Sequence, residues 1–274
     1  MSNDQSTADA FANSWNNLPS GTVYSSAQAA DWFNPLTPAD VSGRRVLELG
    51  CGNGSLLVHM MAWRPAYLEG VDLGDSVRSA TQNMNAVARE GFAIVKADMT
   101  TYTAPSPFDV VYSIGVIHHL KVPRAGFDAV LRNVKPGGRF HCWVYAHEGN
   151  AVVRWLVDPI RKVSCLLPWW ITKYMIATPL VVPYFLYAKL VRALFAGPLF
   201  EFLPLRDYSL WIAQRDFTFF RHVAFDQLVT PQTAYLRRST VDDWLRNHPE
   251  VDPAGNYVVF RNGNSWKFGG RRRA

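Results

Sequence analysis

Between residues 45 and 145 the chain alternates short apolar runs with segments of helical periodicity, and this alternation limits the possible folds more than any other feature. Parallel strands that are buried on both faces have such apolar runs, and a crossover helix must join each strand to the next. The pattern therefore predicts an α/β fold with a doubly wound, mostly parallel sheet. The predicted strands are 45–49, 67–72, 93–97, 108–114 and 139–145, and the predicted helices are 55–63, 76–90 and 124–134, with a turn at residues 135–138.

Glycines and acidic residues occur where the predicted strands end. The first strand continues into Gly50, Gly52 and Gly54, Asp72 ends the second strand, and Asp98 follows the third. Ligands of doubly wound sheets bind beyond the carboxyl ends of the strands. A glycine loop there lets the backbone approach a ligand closely, and the two acids are placed to accept from ribose hydroxyls and from an adenine amino group. These features predict a nucleoside site.

The residues around the loop discriminate between nucleoside ligands. A diphosphate requires a G-x-G-x-x-G loop that opens onto a helix N-terminus, whereas this chain has Glu48-Leu-Gly-Cys-Gly-Asn-Gly54. A carboxylate at Glu48 would repel a diphosphate and suits a ligand that carries a positive charge. The alternative role for Glu48 is to cap backbone amides of the loop.

The runs VLELGCGNG, VDLGDS, ADMTTY, FDVVYSIGVIHHL and VLRNVKPGGRF resemble, in order and spacing, the motifs of class I S-adenosylmethionine-dependent methyltransferases of the small-molecule type. The close resemblance covers residues 44–145. It implies S-adenosyl-L-methionine as cofactor and a Rossmann-like methyltransferase fold, which is a seven-stranded sheet with an antiparallel last strand. The segments 255–261 and 265–269, which flank an Asn262-Gly263-Asn264 turn, are the hairpin that this topology requires. Ser239-Thr-Val-Asp242 resembles a capping box that opens the preceding helix.

The resemblance also implies roles for individual residues. The glycines of the loop would line the methionine part of the cofactor, the acid after the second strand would hold the ribose, the acid after the third would face the adenine, and the end of the fourth strand would lie near the sulfonium. The implied cofactor-binding residues are Glu48, Gly50, Cys51, Gly52, Asn53, Gly54, Asp72, Leu73, Asp98, Met99, Ser113 and Gly115.

Four side chains near the ends of strands four and five are candidates for a general base: His118, His119, Tyr145 and His147. Methyl transfer from a sulfonium depends mainly on positioning, with a base if the acceptor must lose a proton. Histidine titrates near neutral pH, and we favour His119 or His147; packing or backbone capping is the alternative role. The fourth strand ends in Ser113-Ile-Gly-Val and not in Asn/Asp-Pro-Pro-aromatic, which disfavours methylation of nucleic-acid bases. No metal site is predicted.

The sequence predicts four regions. They are an N-terminal lid (1–40), a cofactor-binding core (41–150), a helical apolar cap inserted after the fifth strand (151–238), and the last helix with the C-terminal hairpin (239–274). Trp15 and Tyr24 in the lid, and His222 in the cap, are candidate substrate-binding residues. Ordinary helix packing is the alternative for the two aromatics. His222 and Asp226 stand four residues apart and would share a helix face, where they would orient a substrate hydroxyl or anchor the cap.

The cap is unusually apolar, and its only charged residues between 163 and 200 are Lys173, Lys189 and Arg192. A transmembrane helix needs about 20 uninterrupted apolar residues. The longest uncharged stretch between the lysines has 15 residues and contains two prolines, so spanning is disfavoured. Three alternatives remain for this segment: a wall around an apolar or lipid-like acceptor, a surface that lies on a membrane, or a homodimer interface.

Composition narrows the choice of partner and location. The net charge is +6, and residues 151–274 hold 17 Lys and Arg against 9 Asp and Glu. This motivates an RNA-directed methyltransferase as the first alternative, but the cations are interspersed with aliphatic residues and not clustered along a groove. A non-catalytic S-adenosylmethionine-binding protein is the second. Three scattered cysteines predict no disulfide framework, and the start lacks a signal-peptide pattern. We expect a cytoplasmic enzyme, free or peripheral on the membrane, that O-methylates an apolar small molecule.

Overall fold

The computed structural model describes residues 3–16, 24–194, 203 and 205–274, with side chains from residue 4 and without those of residues 12–16. These residues form two compact units. The sheet unit comprises the described parts of Met1–Tyr145, Gln232–Val259 and Trp266–Ala274, and the helical unit comprises those of Ala146–Pro231 and Phe260–Ser265. The chain thus leaves the sheet unit after strand five and returns to it near residue 232.

The sheet unit contains seven strands in the order β3-β2-β1-β4-β5-β7-β6. Their bounds are β1 Arg45–Leu49, β2 Tyr67–Asp72, β3 Phe92–Lys96, β4 Phe108–Ile114, β5 Val134–Tyr145, β6 Tyr257–Arg261 and β7 Ser265–Arg271. Strands β1 to β5 pair in parallel, and a short turn joins β6 to its neighbour β7, so this pair is antiparallel. The strand order reverses between β1 and β4, where doubly wound sheets bind ligands. The predicted fold class is confirmed.

Eleven α-helices have described bounds: α1 Asn3–Asn16, α2 Ser26–Phe33, α3 Pro38–Val41, α4 Ser55–Met61, α5 Val77–Asn85, α6 Pro123–Asn133, α7 Asp158–Ser164, α8 Thr178–Leu194, α9 Arg206–Ala213, α10 Phe217–Val229 and α11 Arg238–Asn247. A 3₁₀ turn spans Ile117–His119, and π-helical turns span Val153–Val157 and Ile171–Ala177.

Two predicted details of the helices and turns are wrong. The capping box at Ser239 is absent, because Arg237 takes the extended N-cap conformation and α11 begins at Arg238. The predicted turn over residues 135–138 lies inside β5 as a bulge, because the pairing with β4 skips these residues opposite Asp109. Asp109 forms an ion pair with Lys135, which holds the bulge.

Part of the predicted N-terminal lid packs in the hydrophobic core. Helix α2 buries Ala29, Trp32 and Phe33, which pack in one cluster with residues of β1 and α4. Tyr24 packs edge to face on Trp32, with ring centroids 4.6 Å apart, and its carbonyl oxygen is 2.8 Å from His59 Nε2. Tyr24 therefore packs against this cluster, and its predicted contact with substrate stays a prediction.

Candidate active site

The glycine loop after β1 is closed against β2 by backbone hydrogen bonds. The amides of Gly50 and Cys51 both donate to the carbonyl oxygen of Val71, at 2.7 and 3.0 Å. Gly50 has φ +83°, and a Cβ atom there would lie 2.3 Å from Cγ2 of Val116. Only glycine fits this position, because the segment after β4 approaches the loop so closely.

The loop continues directly into α4. Gly54 is the N-cap residue, with a left-handed φ of +76°. The Asn53 side-chain oxygen accepts from the amide and the hydroxyl of Ser55, at 3.1 and 2.7 Å. The side chain of Asn83 in α5 donates to the Asn53 carbonyl oxygen. Asn53 therefore serves to fix the start of the helix, and the loop is held at both of its ends.

Asp72 at the end of β2 ties the loop to the next turn. Its Oδ2 accepts from the Gly52 amide at 2.8 Å, and its Oδ1 accepts from the Gly74 amide at 2.8 Å and from the Ser76 hydroxyl at 3.1 Å. Burial raises the pKa of this carboxyl, and the backbone donors oppose that rise. A Cβ atom at Gly52 would meet no described atom within 4 Å, so the loop faces open space beside the carboxylate.

Glu48 lies beneath the loop and is only 1% exposed. Its Oε2 accepts from the Tyr112 hydroxyl at 3.0 Å, and the loop amides that it was expected to cap as an alternative instead donate to Val71. Burial, with a smaller contribution from the charge of Asp72, raises the pKa of Glu48 to about 8. Burial first, and then the nearby charges of Asp72 and Glu48, raise the pKa of the buried Cys51 thiol.

The acid after β3 and its neighbours occupy the next position along the edge. Asp98 Oδ1 accepts from the amide and the hydroxyl of Thr100, at 2.8 and 2.7 Å. Met99 is buried beside it, whereas Leu73 after β2 is half-buried. These contacts form an Asx-type turn at the strand end and leave Asp98 partly accessible.

The end of β4 lies on the other side of β1. The buried Ser113 hydroxyl donates to the Leu49 carbonyl oxygen at 2.8 Å, which ties β4 to the start of the glycine loop. The Gly115 amide donates to the Trp143 carbonyl oxygen at 3.1 Å. The predicted cofactor residues thus follow the carboxyl edge of four neighbouring strands.

The structure brings together three of the four candidate bases. The rings of His118 and His119 are 4.2 Å apart, and the ring of Tyr145 lies 4.1 Å from His118 and 5.9 Å from His119. His118 is fully buried within this group. By contrast, the buried His141 contacts Tyr257 and Trp32 through its two ring nitrogens, and burial lowers its pKa to about 4.

His119 is held by a distant segment of the chain. Its Nδ1 lies 3.1 Å from the Gln232 carbonyl oxygen and 3.1 Å from the Thr233 hydroxyl. A proton on Nδ1 would be donated to the Gln232 carbonyl oxygen, and the lone pair of the neutral ring would then lie on Nε2. This is the tautomer that a general base facing the acceptor requires.

Helix α1 contacts the turn that carries these histidines. Asp4 Oδ1 accepts from the Lys121 amide at 2.7 Å, and the Phe11 ring lies edge-on to His119 at 5.0 Å. The backbone of Trp15 belongs to α1, but its side chain lies outside the described part of the chain. Helix α1, which belongs to the predicted lid, therefore lies beside His119.

The two remaining candidates belong to the helical unit. His147 accepts at Nε2 from the Arg154 guanidinium, so this lone pair is already engaged. His222 is buried and pairs with Asp226 at 3.2 Å within α10, on one helix face as the spacing predicts. The structure gives His222 a packing environment within its own unit, and its predicted contact with substrate stays a prediction.

Sequence reasoning missed two aromatic side chains beside the histidines. Trp143 lies 5.3 Å from Tyr145 and 5.9 Å from His118, and Tyr235 stacks on Tyr145 at 6.2 Å. The indole Nε1 of Trp143 is buried and has no acceptor among the described residues. The period-two alternation of β5 places Trp143 and Tyr145 on one face, which was an available signal, whereas no local pattern indicates Tyr235.

Comparison with known proteins supplies the family. A family model described as a methyltransferase domain matches residues 24–173, which is more than half of the chain. The chain belongs to this family. The match confirms the family predicted from the motifs of residues 44–145.

Curated relatives of this family member resemble it over shorter stretches. An uncharacterised protein of Synechococcus is 30% identical over 146 residues, and the ubiquinone biosynthesis O-methyltransferase of Pseudomonas putida is 31% identical over 103 residues. These matches cover 48% and 37% of this chain. The chain spans only 34% and 44% of the lengths of these two relatives.

A solved structure extends the likeness in fold to most of the chain. Magnesium protoporphyrin IX methyltransferase from Synechocystis, crystallised with bound S-adenosylhomocysteine, superposes with a TM-score of 0.51. The superposition covers 91% of this chain and 82% of that one at 13% sequence identity. At this identity the likeness concerns the fold, and it agrees with the seven-stranded sheet described above.

Proposed function

We propose that this protein transfers a methyl group from S-adenosyl-L-methionine to a hydroxyl oxygen of an apolar small molecule. The observation that carries the proposal is that a clamped glycine loop and the acids ending β2 and β3 lie along one sheet edge in a member of the methyltransferase domain family. The name of the Pseudomonas relative, which includes ubiquinone biosynthesis and O-methyltransferase, supports oxygen as the accepting atom and a small molecule as acceptor.

The residues along this edge fit a nucleoside. We assign the ribose to Asp72, where a ribose hydroxyl would compete with the Ser76 hydroxyl for Oδ1, the longest of the contacts described for that carboxylate. The open space beside Gly52 allows a ligand to reach the loop backbone. Asp98 is partly accessible and would accept from the adenine amino group, with the buried Met99 as apolar surface beneath the base.

Glu48 fits the positive charge of this cofactor. Its pKa of about 8 means that the carboxyl is largely protonated at neutral pH without a ligand. A cation bound near the loop would favour the carboxylate, so cofactor binding would release a proton from Glu48. Affinity should therefore increase as the pH rises toward 8.

When bound, S-adenosyl-L-methionine supplies an activated methyl group on its sulfonium, so the protein contributes positioning and proton removal. His119 would accept the acceptor's hydroxyl proton at Nε2, because Nδ1 is committed to the Gln232 carbonyl. The same carbonyl would stabilise the imidazolium that forms, since both ring nitrogens then carry protons.

The surroundings of His119 favour an acceptor with a flat apolar ring. The rings of His118, Trp143, Tyr145 and Tyr235 form a nearly continuous aromatic cluster, and such clusters bind ring systems by stacking and edge contacts. An oxygen on the acceptor would also satisfy the buried Trp143 Nε1, which otherwise costs free energy.

The test is formation of S-adenosylhomocysteine with a panel of hydroxylated aromatic compounds, quinols and total RNA, with mass spectrometry of the products. We expect a mass gain of one methylene on an apolar phenol or quinol, and no labelled RNA. Methyl label in RNA would overturn the choice of acceptor. Cofactor binding without any S-adenosylhomocysteine above the buffer control would favour a non-catalytic protein.

A further inference from the structure

The helical unit presents an apolar surface to solvent. Trp155 and Leu166 are each 81% exposed, which is unusual for residues of this size. The side chains that are more than 60% exposed define what we call the apolar surface: Trp155, Val163, Leu166, Met175, Leu186 and Leu194. Soluble monomers rarely expose contiguous apolar patches above a few hundred Å², and larger ones mark interaction sites.

Helix α8 has apolar side chains on two opposite faces. Its inner face buries Val181, Ala188 and Val191 in a cluster with residues of α9 and α10. Its opposite face repeats Val182, Leu186, Leu190 and Leu194 at four-residue spacing, and all four are exposed. A helix that is apolar on both faces is expected in a protein core or in contact with lipid.

The segment that carries most of this surface contains no acidic residue. Residues 159–200 contain no Asp or Glu but five cations: Arg161, Lys162, Lys173, Lys189 and Arg192. Arg161 is buried and paired with Asp158, whereas Lys162 is exposed next to Val163. This segment therefore combines exposed apolar side chains with an excess of positive charge.

Two tryptophans and a lysine lie close together in the segment between α7 and α8. Trp169 and Trp170 are exposed, and Lys173 Nζ lies 5.9 Å from the Trp169 ring and 6.0 Å from the Tyr174 ring. Aromatic rings with adjacent cations are typical of segments that lie at the headgroup level of a bilayer. A second copy of the chain would instead bring cations against cations.

We propose that this apolar surface binds the headgroup region of an anionic lipid bilayer, with α8 lying along the membrane plane. Ile171–Leu194 is long and apolar enough to cross a membrane by length and composition. However, its inner face packs against the helical unit, and Lys173, Lys189 and two prolines interrupt it, so an interfacial position fits better than a spanning one. This proposal does not rest on the proposed methyl transfer.

The test is co-flotation of the full chain with vesicles of phosphatidylcholine, with and without an equal part of phosphatidylglycerol. We expect flotation with the anionic vesicles, weakened by high salt because screening removes the attraction of the cations. Leu166→Ser and Leu186→Ser should each lower the partition coefficient about tenfold, because each removes a buried leucine side chain from the lipid contact. Val87→Ser and Val122→Ser are matched controls, since both valines are exposed in the sheet unit.

Two further experiments test the role of the cations and whether a helix spans the membrane. Lys162→Glu should reduce flotation with anionic vesicles several-fold, whereas Lys121→Glu, an exposed lysine of the sheet unit, should not. Carbonate washing of membranes from expressing cells should release the protein, and retention would overturn the interfacial position in favour of a spanning helix. Absence of flotation together with a dimer that Leu166→Ser disrupts would overturn the proposal in favour of a second copy.

Discussion

Each unit contains an apolar helix, but the two helices differ in how much of their apolar surface is buried. Helix α4 of the sheet unit buries Leu56, Leu57 and Met60, and its exposed surface carries no large apolar side chain. Helix α8 of the helical unit buries one face and exposes Leu186 and Leu190 on the other. Among the described residues, α4 thus leaves no large apolar side chain exposed, whereas α8 leaves one of its two apolar faces exposed.

The polar residues differ in the same way. In the sheet unit, acids and histidines gather at one edge, where Asp72 and His119 are each held by several contacts. In the helical unit, His147 and His222 each pair with a charged neighbour of their own unit. From this comparison we expect the chemistry at the sheet edge, and a role in packing or membrane contact for the helical unit.

The sharpest test of this division replaces one buried histidine in each unit. His119→Ala should reduce kcat by about 10²- to 10⁴-fold, the usual contribution of a general base, with cofactor affinity unchanged. His222→Ala should retain kcat and lower the Tm by a few degrees, because it removes the buried contact to Asp226. Steady-state kinetics and thermal melts of both variants check this; equal losses of kcat would break the division.

A second test concerns the clamp on the glycine loop. Asp72→Ala should weaken cofactor binding about 100-fold, because hydrogen bonds to a charged group contribute roughly 1.5–3 kcal/mol each and this carboxylate also orders the loop. Asp75→Ala is the control, since Asp75 is exposed three residues further on and pairs only with Lys96. Calorimetric titration with S-adenosylhomocysteine measures both, and an unchanged affinity in Asp72→Ala would contradict the assigned site.

A pair of leucines compares burial directly. Leu57→Ala should lower the free energy of unfolding by about 2–5 kcal/mol, as for other fully buried leucines. Leu166→Ala, at an exposed position, should change it by less than about 0.5 kcal/mol. Urea unfolding of the two variants gives both values. A large loss in Leu166→Ala would mean that the apolar surface is covered by protein.

The smallest expected effect is a change in folding stability with pH that depends on the Glu48 carboxyl. Burial keeps this carboxyl protonated in the folded protein up to about pH 8, whereas the unfolded chain loses the proton near 4.5. The unfolded state therefore binds fewer protons in this window, and stability falls as the pH rises through it. Glu48→Gln should abolish the fall, with a higher Tm above pH 8 and little change below 4.5.

The same variant tests the proposed proton release on cofactor binding. Wild-type affinity should increase toward pH 8 and then level off, whereas that of Glu48→Gln should be flat and up to about tenfold weaker at high pH. Titrations in buffers of different ionisation enthalpy count the released proton. A wild-type affinity that is independent of pH would remove Glu48 from the cofactor's charge recognition.

Much of the sheet unit was predictable because its signals are local. An apolar run ending in glycines identifies a strand and the loop after it, and the acids that follow β2 and β3 lie at the strand ends by the same logic. The structure differs from the prediction where contacts between residues distant in the sequence decide the local conformation. The bulge at residues 135–138 depends on Asp109 of another strand, and α2 joins the core because Trp32 meets Tyr24 and Trp143.

The candidate general base, His119, also could not be identified from local sequence signals alone. Two adjacent histidines after β4 were visible in the sequence, but the group that orients His119 comes from Gln232, 113 residues away. Tyr235 beside Tyr145 was equally invisible. Only the fold could show that Nδ1 of His119 lies beside the Gln232 carbonyl oxygen, whereas Nε2 of His147 accepts from Arg154.

By itself, the sequence determined which segments become strands, the order of the glycine loop and the strand-end acids, and the family, because strand periodicity and glycine conformation are properties of a few consecutive residues. The tertiary structure decided the hydrogen-bond partners of His119, the burial of Glu48 and which faces of α8 are covered. Each of these depends on the distance to atoms far away in the chain, and burial and hydrogen bonding arise only when those atoms are brought together.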